Sequence, residues 1–499
     1  MPPPRPFKNL ALPESLASLP RYPLLYPSPS PIHPLPSLQL QLSLSLSCSG
    51  DSSATSTGCG SSPSKTASAS ASASKSLNSN SNGNRNGNIR ITLHAKREDH
   101  SSPLASSGNK YRKLEYIVPD ILASRPRFGG GVGGEIPALA GIHHHSECEG
   151  QEEGEEKEGE TMGEKDKKKI TTVVTEGAIQ SNHTVQVAAT AKRIGLQCVV
   201  LLHKGTGAGF EASRGKEGFL RGGNVQIVKL LGGDVRVFDP HPPQDGIGSG
   251  SGTGHGHDIV EGVLESLRAE GKRVYWIPSG ASLHPLGGVG YARCAFEIAE
   301  QEREIFGPGF PGPGDGDGDG DGEHGGGSGR FDYIFVAGGS GSTIAGLVAG
   351  FKLLDKIEQR GGRARKVIGI LTSPTKPKDY HEERVLRFAR QAGRLIGLDA
   401  ERDITMSDVH LDDRFVGEAY GLLDAETKSA LSLMAEKEQV ILDPVYTAKV
   451  VRGMMHWVEK GEIEGDVAAA TGDDQEKQQV NVLFIHTGGQ SALGAYADA

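Results

Sequence analysis

The sequence predicts an α/β protein built on a parallel sheet that helices cover on both faces. Two observations carry this. Short β-branched runs alternate with helical stretches, and loops of Gly and Ser join them, the pattern of strand–helix–strand units. The chain has 499 residues, enough for two or three domains. In chain order, Lys169–Thr175 (KITTVVT) reads as a strand, GAIQSN as a loop, and HTVQVAATAKRIG as an Ala-rich helix ending at Gly195. Gln197–Leu202 (QCVVLL) is the next strand, followed by a helix in GNVQIVKLLGG and a strand in VRVFD. Phe331–Ala337 (FDYIFVA) is a strand, GGSGST a loop, IAGLVAGFKLLDK a helix, and Lys366–Leu371 (KVIGIL) a further strand.

Four biased stretches interrupt this pattern: 39–88 (Ser, Asn and Leu), 126–168 (Gly, then EGQEEGEEKEGETMGEKDKKK), 241–257 (Gly, Ser, His) and 307–329 (PGPGDGDGDGDGEHGGGSG). They hold too little apolar surface to fold alone and are expected to be disordered surface insertions. They contribute to the low hydrophobic share of 36% and to the high count of 70 glycines. The repeat Asp315 to Asp321 imitates the start of a calcium loop, but the position where an EF-hand needs Glu is Gly326. His143, His144, His145 and Cys148 lie in an insertion and are expected to hold nothing. Cys48, Cys59, Cys148, Cys198 and Cys294 are scattered without ligand spacing, so neither a disulfide framework nor a metal site is expected. A net charge of −9 argues against a nucleic-acid partner, and no apolar run reaches the length of a membrane span.

Two features could carry chemistry. In SGNKYRKLEY at 107–116, Lys110 and Lys113 are either reactive groups or solvated charges on a helix face. Gly338-Gly339-Ser340-Gly341-Ser342-Thr343 joins an apolar strand to a helix. Small residues there let backbone N–H groups and hydroxyls close on an anion at a helix N-terminus. A plain turn would look the same. The loop lacks the lysine of a Walker motif, and position 344, where a dinucleotide fingerprint has Gly or Ala, is Ile. A one-phosphate cradle plus a lysine suggests pyridoxal 5'-phosphate.

The stretches SGNKYRKLEY, EGAIQSNHTVQVAATAKRIGLQCVVLL, IPSGASLHPLGGVGYARCAFEIAEQE, AGGSGSTIAGLVAGF, LDPVYTAKVVRGM and FIHTGGQSALGAY resemble the family of 1-aminocyclopropane-1-carboxylate deaminases and D-cysteine desulfhydrases, as does LPRYPLLYPSPSPIHPLPSL at 19–38. The resemblance implies a fold-type II pyridoxal-phosphate enzyme, similar to tryptophan synthase β. It implies two open parallel-sheet domains, a large one over 16–112 and 288–499 and a small one over 113–287, in a homodimer. It further implies that Lys110 forms the Schiff base and then acts as the base, leaving Lys113 as a surface or structural charge. Ser181 would serve as nucleophile or substrate-binding hydroxyl, and Asn182 as partner of the cofactor's ring oxygen. Main-chain N–H groups around Ser181, Asn182 and His183 would take the substrate carboxylate. Gly339, Ser340, Gly341, Ser342 and Thr343 would hold the phosphate. Tyr420 and Tyr446 would line the substrate pocket as catalytic side chains.

Two positions depart from the ring-opening members. They carry Glu after the Tyr of DPVY, and this chain has Thr447; they carry Leu where this chain has Thr487. A carboxylate beside the pyridine nitrogen strengthens the electron sink that ring opening needs, and a hydroxyl does so less. β-Elimination of a thiolate needs a weaker sink, and a polar Thr487 suits a thiol-bearing substrate. The expected reaction is therefore D-cysteine to pyruvate, hydrogen sulfide and ammonia. Ring opening of 1-aminocyclopropane-1-carboxylate to 2-oxobutanoate is the second reading, and a non-catalytic pyridoxal-phosphate-binding protein the third. The family-like stretch from residue 19 leaves little room for a presequence before it, so a cytoplasmic location is expected, with mitochondrion or plastid as the alternative.

Overall fold

The computed structural model describes residues 12–48, 89–128, 169–203, 220–238, 254–307, 328–359, 364–463, 467 and 478–496. Two sheets organise them. The larger contains β1 (Ile32–Pro34), β2 (Ile89–Arg97), β7 (Tyr333–Gly338), β8 (Lys366–Leu371), β9 (His410–Asp412) and β10 (Gln478–His486), in the order β1-β2-β10-β7-β8-β9. Only β1 runs antiparallel to its neighbour. The smaller sheet is wholly parallel: β5 (Asp234–Phe238), β4 (Gln197–His203), β3 (Thr172–Ala178) and β6 (Val274–Ile277), in that order.

Helices cover both faces of each sheet, as the alternating pattern predicts. On the larger sheet, Ile334 and Val336 of β7 pack with the helices over Val289–Ile305, Ser342–Glu358 and Lys378–Leu395. Tyr333 and Phe335, one residue out of phase, pack with those over Pro36–Cys48, Ala425–Glu438 and Thr447–Glu459. The smaller sheet divides the same way. Cys198, Val200 and Leu202 of β4 share a core with the helices over Lys110–Leu122, Asn182–Arg193 and Gly223–Leu230, whereas Val199 and Leu201 face the helix over Gly254–Ala269. These ten helices are named α1 (Pro36–Cys48), α2 (Lys110–Leu122), α3 (Asn182–Arg193), α4 (Gly223–Leu230), α5 (Gly254–Ala269), α6 (Val289–Ile305), α7 (Ser342–Glu358), α8 (Lys378–Leu395), α9 (Ala425–Glu438) and α10 (Thr447–Glu459). The expected domain boundary at 112/113 falls inside α2, whose Tyr111, Leu114, Ile117, Val118 and Ile121 all join the smaller sheet's core.

Several expected bounds shift. The strand read at Lys169–Thr175 runs over Thr172–Ala178, so part of the expected loop GAIQSN is strand. Ser342 and Thr343 belong to the first turn of α7 rather than to a loop. Residues 39–48 are helical, not part of a disordered insertion. Leu38 and Leu42, four apart, bury one stripe of α1 against α9 and α10 while Leu40 stays exposed, and the backbone N–H of Leu38 donates to Glu438 Oε1 at 2.6 Å. Two buried leucines and a Pro at the first helical position suffice where composition alone suggested none. Helix α5 likewise begins within the expected 241–257 insertion. The rest of the four insertions, apart from a few residues at their edges, lies outside the described residues. So do Cys59, the His143–Cys148 cluster and the Asp315–Asp321 repeat. Cys198 and Cys294 are buried free thiols. Among the described residues no helix is long and apolar enough to cross a membrane, and no cluster of three His, Cys, Asp or Glu side chains could hold a metal ion.

Candidate active site

Parallel strands present the loops at their C-terminal ends on one edge, where ligands of open α/β sheets bind. Here the ends of β2, β7 and β10 in the larger sheet and of β3 and β6 in the smaller supply the loops around Lys110. Gly108 pairs as an isolated bridge with Gly488 just beyond β10. A Cβ at Gly108 would meet Thr487 O at 2.6 Å and Gln186 Nε2 at 2.8 Å, so only Gly permits this approach. The backbone N–H of Asn109 donates to Thr487 O at 3.1 Å. Lys110 opens α2, partly buried, with Nζ donating to Asn109 Oδ1 at 3.1 Å. Burial pulls its pKa down to about 8, against the opposing attraction of the Asp443 carboxylate. A neutral amine at moderate pH can attack an aldehyde or take a proton.

Lys113 is not a surface charge. It lies one turn further along α2, fully buried, and Nζ donates to Ser342 Oγ at 2.8 Å and Gly280 O at 3.1 Å. Its position on the inward face carries the ammonium beneath the Gly loop. Burial, with the charge of Lys110 adding, holds its pKa well below the usual lysine value.

The loop itself is tightly built. Gly341 has φ +97°, a left-handed conformation that favours Gly, and leads directly into α7. Ser340 and Ser342 hydroxyls lie 2.5 and 2.8 Å from Ser282 Oγ. Opposite stands Gly280, also at positive φ, where a side chain would collide with Ser340. Thr343 Oγ1 accepts from Asn109 Nδ2 at 3.1 Å, tying the loop to the residue before Lys110. On the outer side Arg384 Nη2 donates to Gly339 O at 2.8 Å.

Ser181 occupies the N-cap of α3 but makes no capping bond, so its hydroxyl is not committed to the helix. Asn182 Oδ1 accepts from Asn224 Nδ2 at 2.8 Å, and a side chain at Gly489 would run into Asn182 Nδ2. His183 differs from its neighbours. Thr175 Oγ1 donates to Ile277 O at 2.8 Å, so it accepts from His183 Nε2–H at 2.9 Å. The ring is thereby held toward the strands as the neutral tautomer, its pKa pushed well down by burial and by the two lysines. What His183 offers at the helix N-terminus is its backbone N–H, one of the donors that α-helices leave unpaired.

Tyr420 and Tyr446 meet through their hydroxyls, with ring centroids 6.0 Å apart. The Tyr446 ring stands 3.5 Å from where a Cβ of Gly339 would be, so this pair borders the Gly loop. Burial raises both phenol pKa values and keeps the hydroxyls protonated. Thr447 is fully buried; its Oγ1 donates to Asp443 Oδ1 at 2.8 Å and accepts the backbone N–H of Asp443 at 2.7 Å. Asp443 also takes the backbone N–H groups of Val445, Tyr446 and Thr447 at 2.8 to 3.0 Å. Thr487 is buried and reaches Lys110 only through its carbonyl and Asn109.

The structure thus brings Lys110, the Gly loop, the start of α3, Asp443–Thr447 and Thr487–Gly489 together. Sequence reasoning missed Asn109, Gln186, Ser282, Asp443 and the inward turn of Lys113. Asp443 alone had a local signal, an Asp four residues before a helix-starting Thr.

The pattern of the family described as pyridoxal-phosphate dependent enzymes matches residues 154–472. The chain is 34% identical over 409 residues to a 1-aminocyclopropane-1-carboxylate deaminase of Burkholderia ambifaria, covering 82% of this chain and 90% of that one. It is 35% identical over 409 residues to the enzyme of the same name from Ralstonia nicotianae, covering 82% and 89%. The chain belongs to the pyridoxal-phosphate dependent enzymes. A solved structure of a homologue of 1-aminocyclopropane-1-carboxylate deaminase has the same fold, with TM-score 0.56, 23% identity, and 97% and 96% of the two chains covered. The protein is therefore an enzyme of the fold-type II class, and its cofactor is pyridoxal phosphate.

The residues present fit that cofactor. Lys113 is a buried amine whose hydrogen bonds go to a hydroxyl and a carbonyl, beneath a Gly loop at a helix N-terminus. A phosphate dianion in that loop would supply the counter-charge that favours its protonated form. Gly339, Ser340, Gly341, Ser342 and Thr343 would hold it, with Lys110 as the lysine that links to the aldehyde. One expected result follows. Association of pyridoxal phosphate with the apoenzyme should accelerate about tenfold per pH unit below ~8 and level off above it, as the amine loses its proton. Stopped-flow absorbance measures this, and a flat profile would contradict the low pKa of Lys110.

Proposed function

We propose that this enzyme eliminates hydrogen sulfide from D-cysteine, with water consumed, to give pyruvate, hydrogen sulfide and ammonia. The observation that supports this reading is Thr447. Where ring-opening relatives are expected to carry a carboxylate, this chain places a hydroxyl whose proton is donated to Asp443. When bound, the cofactor takes up the electron pair released at Cα. Lys110 Nζ removes the α-proton. The Cα–H electrons form the Cα–Cβ double bond as the Cβ–S pair departs with sulfur, a step that does not demand the strongest sink. The protonated Tyr420–Tyr446 pair beside the Gly loop can donate to the leaving sulfur. Ser181 Oγ and the backbone N–H groups of Asn182 and His183 take the carboxylate, and Thr487 lines the side-chain end. Hydrolysis of the released enamine yields ammonia and pyruvate.

Ring opening of 1-aminocyclopropane-1-carboxylate to 2-oxobutanoate is the second reading, and the names of the relatives favour it. Purified holoenzyme given D-cysteine, L-cysteine or the cyclopropane separately should form sulfide and pyruvate from D-cysteine alone. Substantial 2-oxobutanoate from the cyclopropane would establish the second reading and refute the argument from Thr447. A cytoplasmic homodimer goes with either reading; light scattering and fractionation test it.

A further inference from the structure

An Asn immediately before a helix ordinarily caps it with its own side chain. Asn109 does not. Its Oδ1 accepts from Lys110 Nζ and its Nδ2 donates to Thr343 Oγ1, both at 3.1 Å, so the side chain spans from the lysine to the Gly loop. The first backbone donors of α2 go elsewhere: Gln186 Oε1 accepts from Lys110 N at 2.9 Å and Tyr111 N at 3.2 Å. Gln186 is fully buried and lies on α3, one turn beyond Asn182. Its other end, Nε2, is buried without a hydrogen-bond partner. An orphaned amide donor costs stability, so packing alone does not account for a Gln here.

We propose that Gln186 is the positioning residue for Lys110: by accepting the first backbone N–H groups of α2 from a neighbouring helix it fixes the turn from which Asn109 bridges Lys110 Nζ and Thr343. This rests on the reading of Lys110 as the cofactor-bearing lysine. It also makes the helix that starts at Asn182 a mechanical support of the lysine, so that the carboxylate-binding turn and the reactive amine share one side chain.

The test is a double-mutant cycle on pyridoxal phosphate affinity, measured by equilibrium titration of the apoenzyme, with thermal unfolding as a control for folding. Gln186→Leu and Asn109→Ala should each weaken binding about tenfold. The double variant should bind no more weakly than Gln186→Leu, because Asn109 can bridge Lys110 Nζ and Thr343 only while the start of α2 is held in place. Gln186→Glu keeps the acceptor and should bind within about threefold of the wild type. The buried charge lowers stability under either reading, and a purely structural role predicts that affinity falls with it. Should Gln186→Leu not fold, Gln186→Asn, one methylene too short, replaces it. Wild-type affinity in the uncapped variant, or single effects that multiply in the double variant, overturns the proposal. Lys110→Ala is run alongside: retention of the lysine-bound cofactor absorbance would refute the reading of Lys110, whereas its loss beside a wild-type-like Gln186→Leu would refute only the role of Gln186.

Discussion

Replacing Lys110 by Ala should remove the absorbance of lysine-bound cofactor and lower turnover by about 10³-fold or more, since both the covalent link and the base are lost. Replacing Lys113 by Met should leave that absorbance in place. Its cost should fall on affinity, about tenfold for pyridoxal phosphate, the loss of one buried charge-assisted contact of roughly 1.5 kcal/mol. The two lysines sit three residues apart on one helix, and both are withdrawn from water. The contrast between linkage and affinity therefore separates the reactive amine from the counter-ion. If Lys113→Met loses the absorbance at saturating cofactor, the two roles have been assigned to the wrong residues.

The second large effect is expected at Asp443. Its carboxylate takes three backbone N–H groups and the Thr447 hydroxyl, all but the bond from Tyr446 fully buried. Asp443→Ala leaves these donors without partners, at about 1–3 kcal/mol each, and so should destabilise the folded enzyme by about 3 kcal/mol or more. It also frees Tyr446 and Thr447 to move, so turnover should fall in molecules that remain folded. Asp443→Asn retains an acceptor oxygen and should recover most of the stability. Denaturant unfolding of the three proteins reads the first effect. Equal stability of Asp443→Ala and wild type would show that other groups satisfy these donors.

The alternation of β-branched and Ala-rich stretches made the layered α/β core legible, because strand and helix periodicity are local properties. The Gly loop was legible for the same reason: strand, Gly-Ser run and helix are contiguous. Lys113 was not. Its burial depends on Gly280 and Ser342, each far from it in the chain, and a charged residue on an isolated helix reads as solvated. Helix α1 was hidden differently. Its Leu-x-Leu-x spacing has the period of a strand, and α9 and α10 decide that Leu38 and Leu42 are buried while Leu40 is not. Gln186 could not have been singled out, since what distinguishes it is the helix start it meets 76 residues earlier.

The direction of the strands has one more consequence. The stretches 49–88, 129–168 and 308–327 rejoin the described chain just before β2, β3 and β7, at the N-terminal ends of strands, whereas Lys110, Ser181 and the Gly loop follow C-terminal ends. At those three joins the length of the intervening chain is uncoupled from the positions of the residues around Lys110, whereas the stretch after β5 leaves from the C-terminal end of an edge strand of the smaller sheet.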